Sequence, residues 1–309
     1  MLPIRPACGL LLTLLALPAQ GQTMGQTVTP PDDDPITEDD RFRLAQPSQS
    51  FLHHWQATLG YGGAHAPLSS DAGTRLGFGR NHQVMAGLEA GIGERGFGRI
   101  EAGHAWRDGK RDFANEVLHS DADIGILGIS GGMFITPFLS AGLSLQHRRE
   151  DGREIFISKT GLDDSRTDRE GTSNRVAPFL MLAGPVGPVD LVLLLAYARL
   201  RSETDYRRPQ LNNGDFSDSG QVNSRLADIS VGYWIGPSLK IGASLGWTEV
   251  LSQRTQSTAL ALDDDWGTLG ISATYRATPQ LDVSLSADRD IENARGNGLR
   301  FGGGLTWRF

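Results

Sequence analysis

Cysteine is almost missing from this chain: Cys8 alone in 309 residues. It sits in the N-terminal apolar stretch, so the sequence beyond that stretch has no disulfide and no thiolate metal site. Long apolar runs are missing as well. Past residue 21 the longest, Val189 to Ala198, holds Asp190 at its second position and is about half the roughly 20 residues a membrane helix needs. That excludes a helical membrane protein. Basic charge is not in excess either. The formal charge is −7, and about −8 once Arg5 is set aside with the N-terminal stretch, which argues against nucleic acid as a partner. Seven histidines are present, His53, His54, His65, His82, His104, His119 and His147, but none has paired metal-ligand spacing. Neither metal nor cofactor is expected.

Glycine, in contrast, is abundant, at 39 residues. Glycine weakens an isolated strand, which suits strands that persist only when paired on both sides. The last eleven residues, Leu299 to Phe309, show what such strands look like. Leu299, Phe301, Leu305, Trp307 and Phe309 fall on one parity, and Arg300, Gly302, Gly304, Thr306 and Arg308 on the other. A period of two puts an apolar and a polar face on one extended segment, and this one ends on its apolar face at an aromatic ring. Such an ending resembles the closing strand of Gram-negative outer-membrane β-barrels. The resemblance implies that Leu305, Trp307 and Phe309 form the signal read by the barrel assembly machinery.

The opposite end agrees with export. Arg5, the apolar run Cys8 to Leu17 and the small-residue exit Pro18-Ala19-Gln20-Gly21 have the order of a secretory signal peptide. We expect residues 1–21 to be removed. Residues 22–50 are rich in Pro, Asp, Thr and Gln with little periodicity, and read as a flexible periplasmic lead. Its acidic cluster, Asp32 to Asp34 with Glu38 to Asp40, reads as solvated charge.

Residues 51–309 divide into alternating segments. Val84, Ala86, Leu88, Ala90 and Ile92 oppose Met85, Gly87, Glu89 and Gly91. Leu239, Ile241, Ala243, Leu245 and Trp247 oppose Lys240, Gly242, Ser244 and Gly246. Leu281, Val283, Leu285 and Ala287 oppose Asp282, Ser284, Ser286 and Asp288. Eight such segments, joined by short turns such as Thr136-Pro137, Gly236 to Ser238 and Thr278 to Gln280, are the pattern of a transmembrane barrel. Longer polar connections alternate with those turns, about Arg107 to Val117, Glu150 to Gly171, Glu203 to Val222 and Ser252 to Asp264. Without membrane helices, only a closed barrel pairs every backbone group in hydrocarbon. Reading Thr74 to Gly93 as one long strand, the count is about twelve, all antiparallel. Aromatics support this: Phe138, Tyr233, Tyr275, Trp307 and Phe309 lie near short turns or the C-terminus. Tyr61, Trp106, Tyr197 and Trp247 lie near the long connections. Two girdles result.

Over residues 51–309 the chain resembles the β-domain of autotransporters and related outer-membrane barrels. The hairpin Asp123 to His147, the stretch Trp266 to Leu285 and the final LTWRF carry the likeness. It departs in its lead of about thirty residues, proline-interrupted and without the β-helix repeat of a secreted passenger.

The polar parity would line the lumen with Glu89, Arg99, Glu101, Asp123, Asp228, Lys240, Arg276, Asp282, Asp288, Arg300 and Arg308. Both signs interleave with no run of either, which argues against strong ion preference. The pattern suits both a narrow pore and a cross-linked plug. A catalytic site is not expected, since His119 and Ser120 are adjacent on a strand and point to opposite faces. The first functional expectation is a narrow channel or porin-like pore. The alternative is a non-catalytic surface or structural barrel related to autotransporter translocators. A lipid-modifying hydrolase ranks third. Expected partners are outer-membrane lipids, lipopolysaccharide and the assembly machinery; the oligomeric state stays open.

Overall fold

The computed structural model describes residues 55–69, 75–93, 95–112, 116–160, 165–187, 189–208, 215–255, 265–291 and 298–309. The expected signal peptide and lead, residues 1–21 and 22–50, lie outside the described residues, as do His53 and His54.

Twelve strands follow in chain order: β1 Trp55–Ser69, β2 Arg75–Ile92, β3 Gly96–Asp112, β4 Glu116–Phe134, β5 Leu139–Ser158 and β6 Ser165–Val186. Then come β7 Val189–Arg207, β8 Phe216–Ile235, β9 Leu239–Thr255, β10 Asp265–Thr278, β11 Leu281–Ile291 and β12 Leu299–Arg308. Each pairs antiparallel with its chain neighbours, and β1 pairs with β12 to close the ring. Closure leaves no free edge, the condition for a sheet in hydrocarbon. The seam runs from Gln56 opposite Arg308 to His65 opposite Leu299. At its foot Trp55 N–H donates to Phe309 O (3.1 Å) and Phe309 N–H to Trp55 O (3.0 Å). No helix among the described residues is long and apolar enough to cross a membrane.

The short turns are built from residues that a tight reversal needs. Gly93, Gly187 and Gly236 have φ of 62°, 64° and 67°, the left-handed region in which glycine has no Cβ to clash. Two turns share a Thr-Pro start. Thr136 Oγ1 accepts from the N–H groups of Phe138 (3.3 Å) and Leu139 (3.0 Å). Thr278 Oγ1 accepts from Gln280 (3.3 Å) and Leu281 (3.1 Å) in the same way. The hydroxyl satisfies donors that the reversal takes out of the ladder.

Thr74 to Gly93 was expected as one strand, and β2 runs unbroken from Arg75 to Ile92. The long connections differ from expectation. Most of Glu150 to Gly171 and Glu203 to Val222 is strand, since β5 continues to Ser158 and β8 begins at Phe216. The reason is cross-strand charge pairing. Asp121 meets Arg153 (3.3 Å), and Arg207 meets Glu170 (4.0 Å), so polar residues hold a ladder beyond the apolar zone.

The outer face is apolar all round: Leu127, Ile129, Ile271 and Leu285 are each more than half exposed. All nine girdle aromatics project from this face. Those on β7 and β3, Tyr197 and Trp106, stand eight and ten residues from the short-turn ends Val189 and Gly96. That is the length of a tilted crossing strand.

Candidate functional site

The inward face carries three groups of charge. Near the short-turn mouth, Arg99 lies 3.8 Å from Glu89 and 3.3 Å from Glu101, and Gln56 donates to Glu89 (3.3 Å). Across the same mouth a belt crosses six strands. Asp190 accepts from Trp234 Nε1 (2.9 Å) and Lys240 Nζ (3.4 Å). The Arg276 guanidinium covers the Trp234 ring at 4.8 Å and reaches Asp282 at 3.5 Å. Asp282 in turn pairs with Arg308. Ion pairing and cation–π contact together fix these long side chains.

Higher in the lumen Arg300 pairs with Asp290. The third group lies beyond the upper girdle. Arg107 meets Glu150 (3.6 Å), and Arg169 meets both Glu150 (2.5 Å) and Glu154 (3.2 Å). Burial pushes the Glu154 carboxyl up despite the Arg169 charge beside it. Tyr206, stacked on Phe216 at 4.5 Å, is pushed up to about 12, chiefly by burial and then by the charge of Glu154.

Of the residues expected to line the lumen, Glu89, Arg99, Glu101, Asp228, Lys240, Arg276, Asp282, Asp288, Arg300 and Arg308 share the inward parity of their strands. They form separate groups rather than one site. Asp123 is a correction. Its side chain is 64% exposed and meets His104 Nε2 at 3.2 Å on the outer face. Both parities of β4 carry apolar residues there, Ile124 and Ile126 inward, Leu127 and Ile129 outward, so hydropathy alone does not assign the face. Leu305, Trp307 and Phe309 all project outward.

Glycines form seats for the inward side chains. A Cβ on Gly128 would stand 2.6 Å from Glu101 Cγ, and one on Gly232 2.9 Å from Lys240 Cδ. One on Gly246 would stand 3.1 Å from Asp228 Oδ2, one on Gly270 2.1 Å from Asp288 Oδ1, and one on Gly152 2.8 Å from Arg169 Nε. Each of these five side chains therefore lies down over a neighbouring strand instead of projecting toward the barrel axis. At these five positions glycine is required by the close approach, since any Cβ would occupy the seat.

One sector of the lumen is apolar. Phe97, Phe134, Phe179 and Met181 form a buried cluster against Val192, Leu194 and Ala196, with Phe97 5.5 Å from Phe134 and 6.4 Å from Phe179 between ring centres. Sequence reading missed it, because segments such as Phe179 to Ala183 and Leu191 to Ala196 are apolar on both parities. Among the described residues no group of three or more His, Cys, Asp or Glu side chains is placed to hold a metal.

No protein-family model matches the chain, and no curated protein matches it in sequence. Its fold is that of solved autotransporter translocator domains. The translocator domain of NalP from Neisseria meningitidis superposes with a TM-score of 0.65 at 13% identity, over 85% of this chain and 92% of that one. The β-domain of the Bordetella autotransporter BrkA gives 0.60 at 12%, over 82% and 99%. The transport unit of AIDA-I from Escherichia coli gives 0.56 at 14%, over 83% and 90%. The barrel fold is thus shared with these domains.

Proposed function

We propose that the chain is an integral outer-membrane barrel whose lumen is a narrow passage for small polar solutes. The observation that carries this reading is the set of glycine seats, which hold Glu101, Lys240, Asp228 and Asp288 against the wall. A plug would instead direct such charged side chains across the barrel axis. Both signs of charge face the lumen at successive levels, so the passage discriminates weakly between small anions and cations. Outer-membrane placement is supported by the exposed apolar belt and its two aromatic girdles, because a water-soluble sheet would not leave such a surface uncovered.

Planar-bilayer recording of the refolded chain is the test. Discrete single-channel events with little difference between potassium and chloride permeability are expected. Repeated insertion without any unitary current removes the pore reading. What then stands is a second reading, a non-catalytic surface barrel related to the autotransporter translocators whose architecture it shares.

A further inference from the structure

The outer face just above the upper girdle is not uniform. On β7 the outward residues after Tyr197 are Arg199 and Arg201, both exposed. Opposite them on β8, in register and therefore on the same face, stand Arg225 beside Tyr197, Asn223 beside Arg199 and Gln221 beside Arg201. On the other flank, Asn174 of β6 lies beside Arg201 and holds His147 of β5 at 2.9 Å. Three guanidinium groups and a fringe of neutral amides thus share one patch about two residues deep. Arg199 is held by Gln221 (2.8 Å), a neutral partner that leaves its charge uncompensated. Arg201 has no hydrogen-bond or ion-pair partner among the described residues. The nearest acids are at the margin: Glu249 on β9, paired with Arg225, and Glu203, one outward step beyond Arg201.

Elsewhere at this height the outer face mixes signs. His104 meets Asp123, Arg149 meets Asp151, and Arg153 meets Asp121. Arg199 and Arg201, in contrast, take no acid as a partner among the described residues. Side chains two apart on a strand are separated by about 7 Å, and in-register neighbours by about 5 Å. Arg199 and Arg201, two apart on one strand, are spaced so that both forks can reach a single tetrahedral oxyanion, with Arg225, tied to Glu249, at the lower edge of the patch. Their aliphatic stems lie along the apolar wall while the heads reach up. The anion present at that height beside a membrane-embedded wall is the phosphate of a lipid headgroup.

We infer that the outward face of β7 and β8 above Tyr197, centred on Arg199, Arg201 and Arg225, binds the phosphorylated headgroup of a lipid in the adjoining leaflet. The inference rests on the membrane-spanning reading, and the two are tested separately. Heat-modifiable migration and bilayer insertion of the refolded full chain test the span. Native mass spectrometry from detergent, with bisphosphorylated lipid A or the same lipid stripped of phosphate as probe, tests the patch. Wild type is expected to retain one equivalent of the phosphorylated probe, at least tenfold more tightly than the phosphate-free one. R199Q/R201Q is expected to lose that preference, and R153Q on β5 to keep it. Inorganic phosphate in excess is expected not to displace the lipid. An inserted barrel that holds both probes equally, or a double variant that binds like wild type, overturns the patch while leaving the span intact. A chain that fails to insert removes both. If the double variant does not fold, the two probes on wild type alone still decide.

Discussion

Valine at position 128 puts the glycine-seat argument at most risk. Gly128 faces the lumen in register with Glu101, and its missing Cβ would stand 2.6 Å from Glu101 Cγ and 2.7 Å from Oε1. The nearer atom is close to the Glu101 backbone, so a small adjustment at the carboxylate does not relieve the contact. Glu101 must rotate away from the wall and toward the barrel axis, which breaks its 3.3 Å pairing with the buried Arg99. A charge-assisted contact of this kind contributes about 1.5 to 3 kcal/mol. Replacing a strand glycine returns roughly 0.5 to 1 kcal/mol. The net cost of G128V is then about 1 to 2 kcal/mol, read as a lower urea midpoint for the barrel in detergent, together with a smaller unitary conductance. Gly125 on the same strand is the control. A Cβ there meets nothing within 4 Å and faces outward, so G125V should gain roughly 0.5 to 1 kcal/mol with conductance unchanged. Equal midpoints and equal conductances for the two variants would refute the reasoning.

Deleting Phe309 removes both backbone bonds that close the seam at Trp55 along with an outward aromatic ring. Heat-modifiable barrel should fall sharply in membranes; a normal yield would count against a terminal assembly signal. The Glu154 carboxyl is raised by burial, so the folded chain keeps a proton that the unfolded chain releases. Stability from this group is complete below the ordinary glutamate range and is lost as pH rises through the raised value. Urea midpoints of wild type should decline across that window, whereas E154Q should show a flatter profile; parallel curves would exclude the effect. D190N leaves Trp234 and Lys240 without their shared carboxylate and should cost about 1 kcal/mol. D151N, whose pair with Arg149 is mostly exposed, should not shift the midpoint measurably.

Strand number, closure and the inward parity of Glu89, Glu101, Lys240 and Asp288 were all legible, because each of those strands has one apolar and one polar face. Legibility failed where that contrast disappears. β6 and β7 are apolar on both faces near the short turns, so Phe179, Met181 and Leu194 gave no sign that they look into the lumen. β5 to β8 are charged on both faces beyond the girdle, so Glu150, Glu154 and Arg169 read as loop. Asp123 was misplaced because both parities of β4 are apolar there, with Ile126 and Leu127 adjacent in sequence and opposite in direction. The pairing of Trp234 with Asp190 escaped notice because a single aromatic or acid at a strand end has no periodic context. The bond that joins them across β7 and β8, and the reach of Lys240 from β9 to the same carboxylate, depend on barrel curvature, which alternation does not encode.

The central claim is that one parity of each strand faces water inside a closed wall and the other faces lipid. Substituted-cysteine labelling at neighbouring positions of β8, with the intrinsic Cys8 replaced by serine, tests it most directly. In intact outer membranes a membrane-impermeant sulfonate reagent should label S230C from within the lumen and leave I229C, on the exposed apolar face, unmodified. Labelling of I229C with protection of S230C would contradict the account.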